Sequence, residues 1–179
     1  PSPLPGDWGH VSLYSEGNTI SHLDYEYAND GFVGDGASYT TIDNVVMQGN
    51  LSLSANGIYL NNSTDLTITN NTIVAEGGAY GVYSPGSPNS TIGNNGISNT
   101  GNGLQFDNSP GSSIANNTIS VNGGSWGIHS SGSPNSIFDG NTITDIRDHG
   151  IYLGYTEGSV VTSNTVISDA EELSNLYGI

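Results

Sequence analysis

A repeat restricts this chain more than any other feature. The segments Gly57-Ile-Tyr-Leu60, Gly81-Val-Tyr-Ser84, Gly103-Leu-Gln-Phe106, Gly127-Ile-His-Ser130 and Gly150-Ile-Tyr-Leu153 recur every 22 to 24 residues. Each is followed by a second block: Ile68 to Ile73, Ile92 to Ile97, Ile114 to Ile119, Phe138 to Ile143 and Val161 to Val166. In all five copies the glycine lies 11 positions before the first apolar residue of its second block, and 5 more reach the last. Gly31, Ile42 and Met47 keep the same register upstream, and Val11, Ile20 and Tyr25 make a first coil one residue shorter. Self-similarity at such a period marks stacked units that bury their apolar faces only against one another.

The apolar segments are two or three residues long and are broken by Gly, Ser-Pro or Asn, so they cannot be amphipathic helices. They fit short strands. Alternation sends Ile58 and Leu60 inward and Tyr59 outward, and coils stacked at about 4.8 Å set equivalent residues above one another. Composition agrees: Gly 26, Ser 25, Asn 22 and Thr 15 make up about half of the 179 residues, which disfavours helix. The chain has no cysteine, so it has no disulfide and no thiolate metal site.

The repeat resembles the right-handed parallel β-helix family, the pectate-lyase-like solenoids, from about Trp8 to Ile179. The expected fold is therefore all-β, a right-handed parallel β-helix of about seven coils, with residues 1–9 as a lead segment and 10–179 as one solenoid. Asn71, Asn95, Asn117, Asn141 and Asn164 share one position in successive coils. A stacked amide column can satisfy itself internally, as the family's asparagine ladder does. Leu23 and Val45 take this place in the first two coils, so the ladder should begin at Asn71. The family includes lyases, hydrolases, epimerases, adhesins and surface proteins, so the resemblance implies a fold and leaves the function open.

Length varies only between the end of a second block and the next glycine, which marks the tolerant edge where functional loops concentrate. The last such loop, from Ser168 to Leu173, could form a helical turn. Beside that edge runs an aromatic strip. Tyr59, Tyr83, His129 and Tyr152 fall two residues after their glycines, while Tyr80, Trp126, His149 and Tyr177 fall just before theirs. Rings on a flat strand face suit sugar stacking or protein contact.

For acid–base chemistry the best constellation is Asp145, Asp148 and His149, with Arg147 and His129 nearby. The family's hydrolase pattern of an adjacent Asp-Asp pair with Gly-His-Gly is missing, as is the epimerase pattern, and where lyases of this fold typically use a basic residue with cations or calcium to neutralise the uronate, the chain has one arginine. Enzymatic activity is therefore left open. If present, it acts on polysaccharide. No cofactor is expected. Asp145, Asp148, Glu157, Asp169, Glu171 and Glu172 form the weak candidate calcium region, without any calcium-loop motif. Sequons occur at Asn50, Asn61, Asn62, Asn70, Asn89 and Asn116, and those next to ladder positions should face outward.

Arg147 is the only Lys or Arg against 17 carboxylates, for a formal net charge of −16. Nucleic-acid binding requires clustered cations and is excluded on this basis, and no apolar stretch is long enough for membrane insertion as a helix. Two readings follow. In the first, the chain is a structural module, extracellular or at the cell surface, self-associating end to end into a layer, sheath or fibre. Its stop two residues into a new coil at Gly178-Ile179 motivates this, because open strand edges template another copy. In the alternative it is a polysaccharide-binding or polysaccharide-processing domain that uses the strip.

Overall fold

A computed structural model of the chain describes residues 9–26, 28–48, 55–75, 79–122 and 124–168. Within them the protein is an all-β parallel solenoid of three seven-stranded sheets. Sheet I stacks β1 (Val11–Leu13), β4 (Phe32–Asp35), β7 (Asn56–Asn61), β10 (Tyr80–Tyr83), β13 (Asn102–Gln105), β16 (Trp126–Ser131) and β19 (His149–Gly154). Sheet II stacks β2 (Thr19–Ser21), β5 (Thr41–Asp43), β8 (Thr67–Thr69), β11 (Thr91–Gly93), β14 (Ser113–Ala115), β17 (Ile137–Asp139) and β20 (Val160–Thr162). Sheet III stacks β3 (Asp24–Glu26), β6 (Val46–Gln48), β9 (Thr72–Val74), β12 (Gly96–Thr100), β15 (Thr118–Val121), β18 (Thr142–Thr144) and β21 (Thr165–Ile167).

Strand register follows the sequence repeat. Ile42, Ile68, Ile92, Ile114 and Phe138 pair in line through sheet II, and Met47, Ile73, Ile97, Ile119 and Ile143 through sheet III. All ten are buried, as are Ile58, Leu60, Val82, Leu104, Ile128 and Ile151 facing them from sheet I. Each such side chain contributes roughly 1.5–3 kcal/mol relative to exposure, which is how a chain with few apolar residues stays folded. Leu23, placed in the core by its register, is 37% exposed. The expected lead segment up to Trp8, the helical turn after Ser168 and the start of an eighth coil at Gly178-Ile179 lie outside the described residues.

The corner between sheets II and III is a single residue in the left-handed conformation: Asn44, Asn70, Asn94, Asn116 and Ser163 have φ of 54–57°. Asparagine tolerates this region better than most residues. The other two copies are His22 at φ 54° and Gly140 at φ 64°, and a Cβ on Gly140 would lie 2.6 Å from Asn116 Oδ1 in the coil before. The repeat glycines that open the sheet I strands are needed for a different reason. A Cβ on Gly57 would lie 2.4 Å from Ile73 Cγ2 and 2.6 Å from the Gly81 carbonyl oxygen, so only glycine lets the loop edge close onto sheet III.

Immediately after each corner, the asparagine side chain turns inward and forms the expected ladder. Asn71, Asn95 and Asn117 each donate from Nδ2 to the next Oδ1, at 3.0, 3.0 and 2.9 Å, and Asn141 continues to Asn164 at 2.9 Å. The second Nδ2 hydrogen of Asn95 goes to the Ile68 carbonyl at 2.9 Å, and its Oδ1 also accepts the Asn71 backbone N–H at 3.0 Å. The same pattern recurs up the column, and Asn71 Oδ1 ends it by accepting the Val45 backbone N–H at 2.9 Å.

Two serine columns, not anticipated from the sequence, do the same work at the turn between sheets I and II. Backbone N–H groups of Ser63, Ser87 and Ser109 donate to Oγ of Ser87, Ser109 and Ser133 at 3.1, 2.9 and 3.0 Å. Those of Ser90, Ser112 and Ser136 donate to Oγ of Ser112, Ser136 and Ser159 at 3.2, 3.2 and 3.0 Å.

Asn117 is 1% exposed and makes four ladder bonds. Replacing it with leucine strands donors on Asn95 and the Ile92 carbonyl, at an expected cost of about 3–5 kcal/mol. Asn164→Leu removes as many bonds, but at a half-buried position that water reaches, and should cost about 1 kcal/mol. Chemical denaturation of both variants checks this. Equal losses would contradict a ladder whose value comes from burial.

Candidate functional site

Alternation along sheet I leaves every second residue on its outer face, and parallel register puts these residues into files that run along the solenoid. The central file is Tyr59, Tyr83, Gln105, His129 and Tyr152, paired strand to strand. Next to it, on the loop side, lie Asn56, Tyr80, Asn102, Trp126 and His149. On the other side, Asp35 and Asn61 begin a file that Asp107 and Ser131 continue, each falling two residues beyond its central-file neighbour.

The rings form two clusters. In the first, Tyr59 stacks on Tyr83 with centroids 5.3 Å apart at 10°, and Tyr80 stacks on Tyr83 at 4.9 Å and 22°. In the second, His129 stacks on Tyr152 at 4.8 Å and 6°, Trp126 tilts over His129 at 4.8 Å, and His149 meets Tyr152 edge-on at 5.6 Å. Between them lies the one coil of this stretch with no ring, β13, which presents Asn102 and Gln105 and leads into Asp107.

Asp107 ties this centre together. Its Oδ1 lies 3.0 Å from His129 Nδ1 and accepts the Ser131 backbone N–H at 3.0 Å, and its Oδ2 accepts from Gln105 Nε2. Burial acts to raise its pKa, but the hydrogen bonds from His129 and Gln105, the His129 charge and the Ser131 N–H outweigh it and hold the carboxyl below the usual aspartate range. Tyr80 and Tyr83 are pushed up from the ordinary tyrosine value, first by burial and then by nearby charge, including that of Asp107. Both phenols therefore keep their protons and can donate. Gln105 Oε1 is closed off from solvent and meets no donor, a state that costs roughly 1–3 kcal/mol.

The five strip residues expected from the sequence, Tyr59, Tyr83, Trp126, His129 and Tyr152, thus lie on one face. Asp148 joins them through His149, with Oδ1 at 3.0 Å from Nδ1. Asp145 does not. It sits in a left-handed turn after β18, and its carboxylate accepts from Ser120 Oγ at 2.6 Å and Thr144 Oγ1 at 3.0 Å beside sheet III. The Asp145 carboxylate is thus taken up by Ser120 and Thr144, Asp148 lies beside His149, and the carboxylate beside His129 is Asp107. The available signal for Asp107 was its position four residues after Gly103, which puts it on the same outward face. Among the described residues no three of His, Asp or Glu converge to hold a metal ion, while Asp169, Glu171 and Glu172 lie outside them.

The molecule is thus a parallel solenoid carrying a ring-lined outer strip. Residues 56–178 match the family described as the right-handed β-helix region, and the chain belongs to that family. No curated protein matches it. Among solved structures it is similar to an alginate lyase from Paenibacillus sp. str. FPU-7, at 14% identity and a TM-score of 0.57, over 98% of this chain and 76% of that one. It is also similar to a DFA-IIIase from Arthrobacter chlorophenolicus A6 solved without its lid, at 13% identity and a TM-score of 0.44, over 94% of this chain and 50% of that one. At these identities the likeness concerns the fold.

A carboxyl held below its ordinary range stabilises the fold above the unfolded-state pKa of about 3.9 and loses that contribution as pH falls through the lower, folded value. Acid titration should therefore displace the Trp126 and Tyr152 ring resonances with a midpoint below about 3.9, and Asp107→Asn should abolish that step. An identical acid transition in the variant would show that Asp107 does not organise the strip.

Proposed function

We propose that the outer face of sheet I binds an extended polysaccharide laid along the solenoid axis. The observation that carries this reading is the file of rings and polar groups from Tyr59 to Tyr152. Four strand steps at about 4.8 Å make a track of roughly 19 Å, long enough for several sugar units in line. The apolar C–H face of a pyranose packs on aromatic rings, and phenol, imidazole and indole edges serve its hydroxyls. The structural similarity to an alginate lyase is consistent with a glycan ligand.

Binding is the activity proposed, rather than bond cleavage. The Asp145 carboxylate is taken up by Ser120 and Thr144, and the chain has one Lys or Arg to offset a uronate's charge. An extended glycan partner agrees with a place outside the cell or on its surface. The self-assembly expected from the sequence concerns the two ends of the solenoid, which adjoin residues outside the described ones. The glycan reading rests instead on sheet I, whose seven strands are all described.

Changing Tyr83 and Tyr152 together to serine removes one ring from each cluster. Losing two stacking platforms worth about 1 kcal/mol each should weaken retention on immobilised glycans by roughly tenfold or more. The thermal midpoint should move little, because both side chains lie outside the core. Unchanged retention in affinity electrophoresis across a glycan panel would refute a sugar-binding role for the strip.

A further inference from the structure

Resting on the glycan reading above, we propose that the ring-free coil at β13 sets the strip's specificity, admitting a neutral, hydroxyl-bearing glycan and turning away polyuronates. The discriminating group is the Asp107 carboxylate. A carboxylate offers about four lone-pair sites. Asp107 uses two on Oδ1, for Ser131 N–H and His129 Nδ1, and one on Oδ2, for Gln105 Nε2. One acceptor site on Oδ2 remains.

His129 sets Nδ1 3.0 Å from Asp107 Oδ1. Gln105 Nε2 gives one of its two hydrogens to Asp107, and Oε1 is closed off from solvent. Asn102 Oδ1 accepts from Trp126 N–H at 3.1 Å, and one Nδ2 hydrogen reaches the Ala79 carbonyl at 3.3 Å. The charged acceptor of this coil is therefore the remaining site on Asp107 Oδ2, and a group seated on it must donate.

A sugar hydroxyl donates. A uronate carboxylate has no proton to give and brings a second negative charge beside Asp107, which stays ionised through the neutral range because its pKa is lowered. Arg147 is the chain's one Lys or Arg against a net charge of −16, so little fixed positive charge is available to offset a uronate. The ring clusters on either side hold sugars by stacking, which discriminates poorly between a hydroxymethyl and a carboxylate substituent. Discrimination thus falls to the coil between them.

Calorimetric titration of the intact protein with two matched pairs of linear oligosaccharides tests this: mannose with mannuronate, and glucose with glucuronate. Within each pair the backbone is the same and one substituent changes charge. The neutral member of at least one pair should bind tenfold or more tightly than its uronate, with the gap narrowing but persisting at high salt. Asp107→Asn should weaken the neutral ligand about tenfold, by loss of a charged acceptor, and shrink the gap.

A uronate that binds as well as its neutral partner would overturn the specificity proposal and leave the glycan reading standing. So would an unchanged ratio in the folded Asp107→Asn variant. Failure of all four oligosaccharides to bind would overturn both.

Discussion

The structure depends on one constraint: polar groups that the chain turns inward at its corners must find partners in the neighbouring coil. Buried amides left unpaired cost on the order of 1–3 kcal/mol each, so a slip of one residue between coils would be ruinous where Asn71, Asn95, Asn117 and Asn141 are buried. The ladder therefore sets register as well as contributing stability. The serine columns impose the same requirement at a second corner. Apolar stacking alone would tolerate a Val or an Ile displaced along the axis, whereas paired amides would not.

That register builds the outer face without further specification. Once Gly57, Gly81, Gly103, Gly127 and Gly150 are aligned, the residues two positions later form one file and those just before form another. The protein can then vary the outward residue of each coil without disturbing the core, because Ile58, Val82, Leu104, Ile128 and Ile151 remain buried beneath. A ring-bearing coil, a ring-free coil and a second ring-bearing coil can be set in series along a rigid axis. Side chains that are far apart in sequence, such as Asp107 and His129, meet because their strands are adjacent.

Much of this could be read from the sequence because a solenoid converts spacing into position. The constant offset from glycine to second block identified the coils, the inward side of each strand, the asparagine column and the file of Tyr59, Tyr83, His129 and Tyr152. The serine columns escaped notice because Ser87-Pro-Asn-Ser90 and its counterparts look like turn punctuation, and serine is too common here for a column to stand out. Asp107 was overlooked because it follows the short strand β13 and sits in no motif. Its significance comes from the coil after it, which supplies His129 and Ser131. Asp145 shows the opposite case. It is close to His149 in sequence, but a left-handed turn commits it to Ser120 and Thr144. Leu23, in the first described coil, is placed at a core position by its register yet is 37% exposed.

The same physical account links the buried ladder to an outward glycan track through the strand register they share. The most direct test is an amide and aromatic chemical-shift map of the intact protein titrated with a linear neutral oligosaccharide. The account expects perturbations confined to the outer face of sheet I, centred on Tyr80, Tyr83, Gln105, His129 and Tyr152, with the amides of Asn71, Asn95, Asn117 and Asn141 unmoved. Perturbations centred on sheet II or sheet III, or at either end of the solenoid, would contradict it.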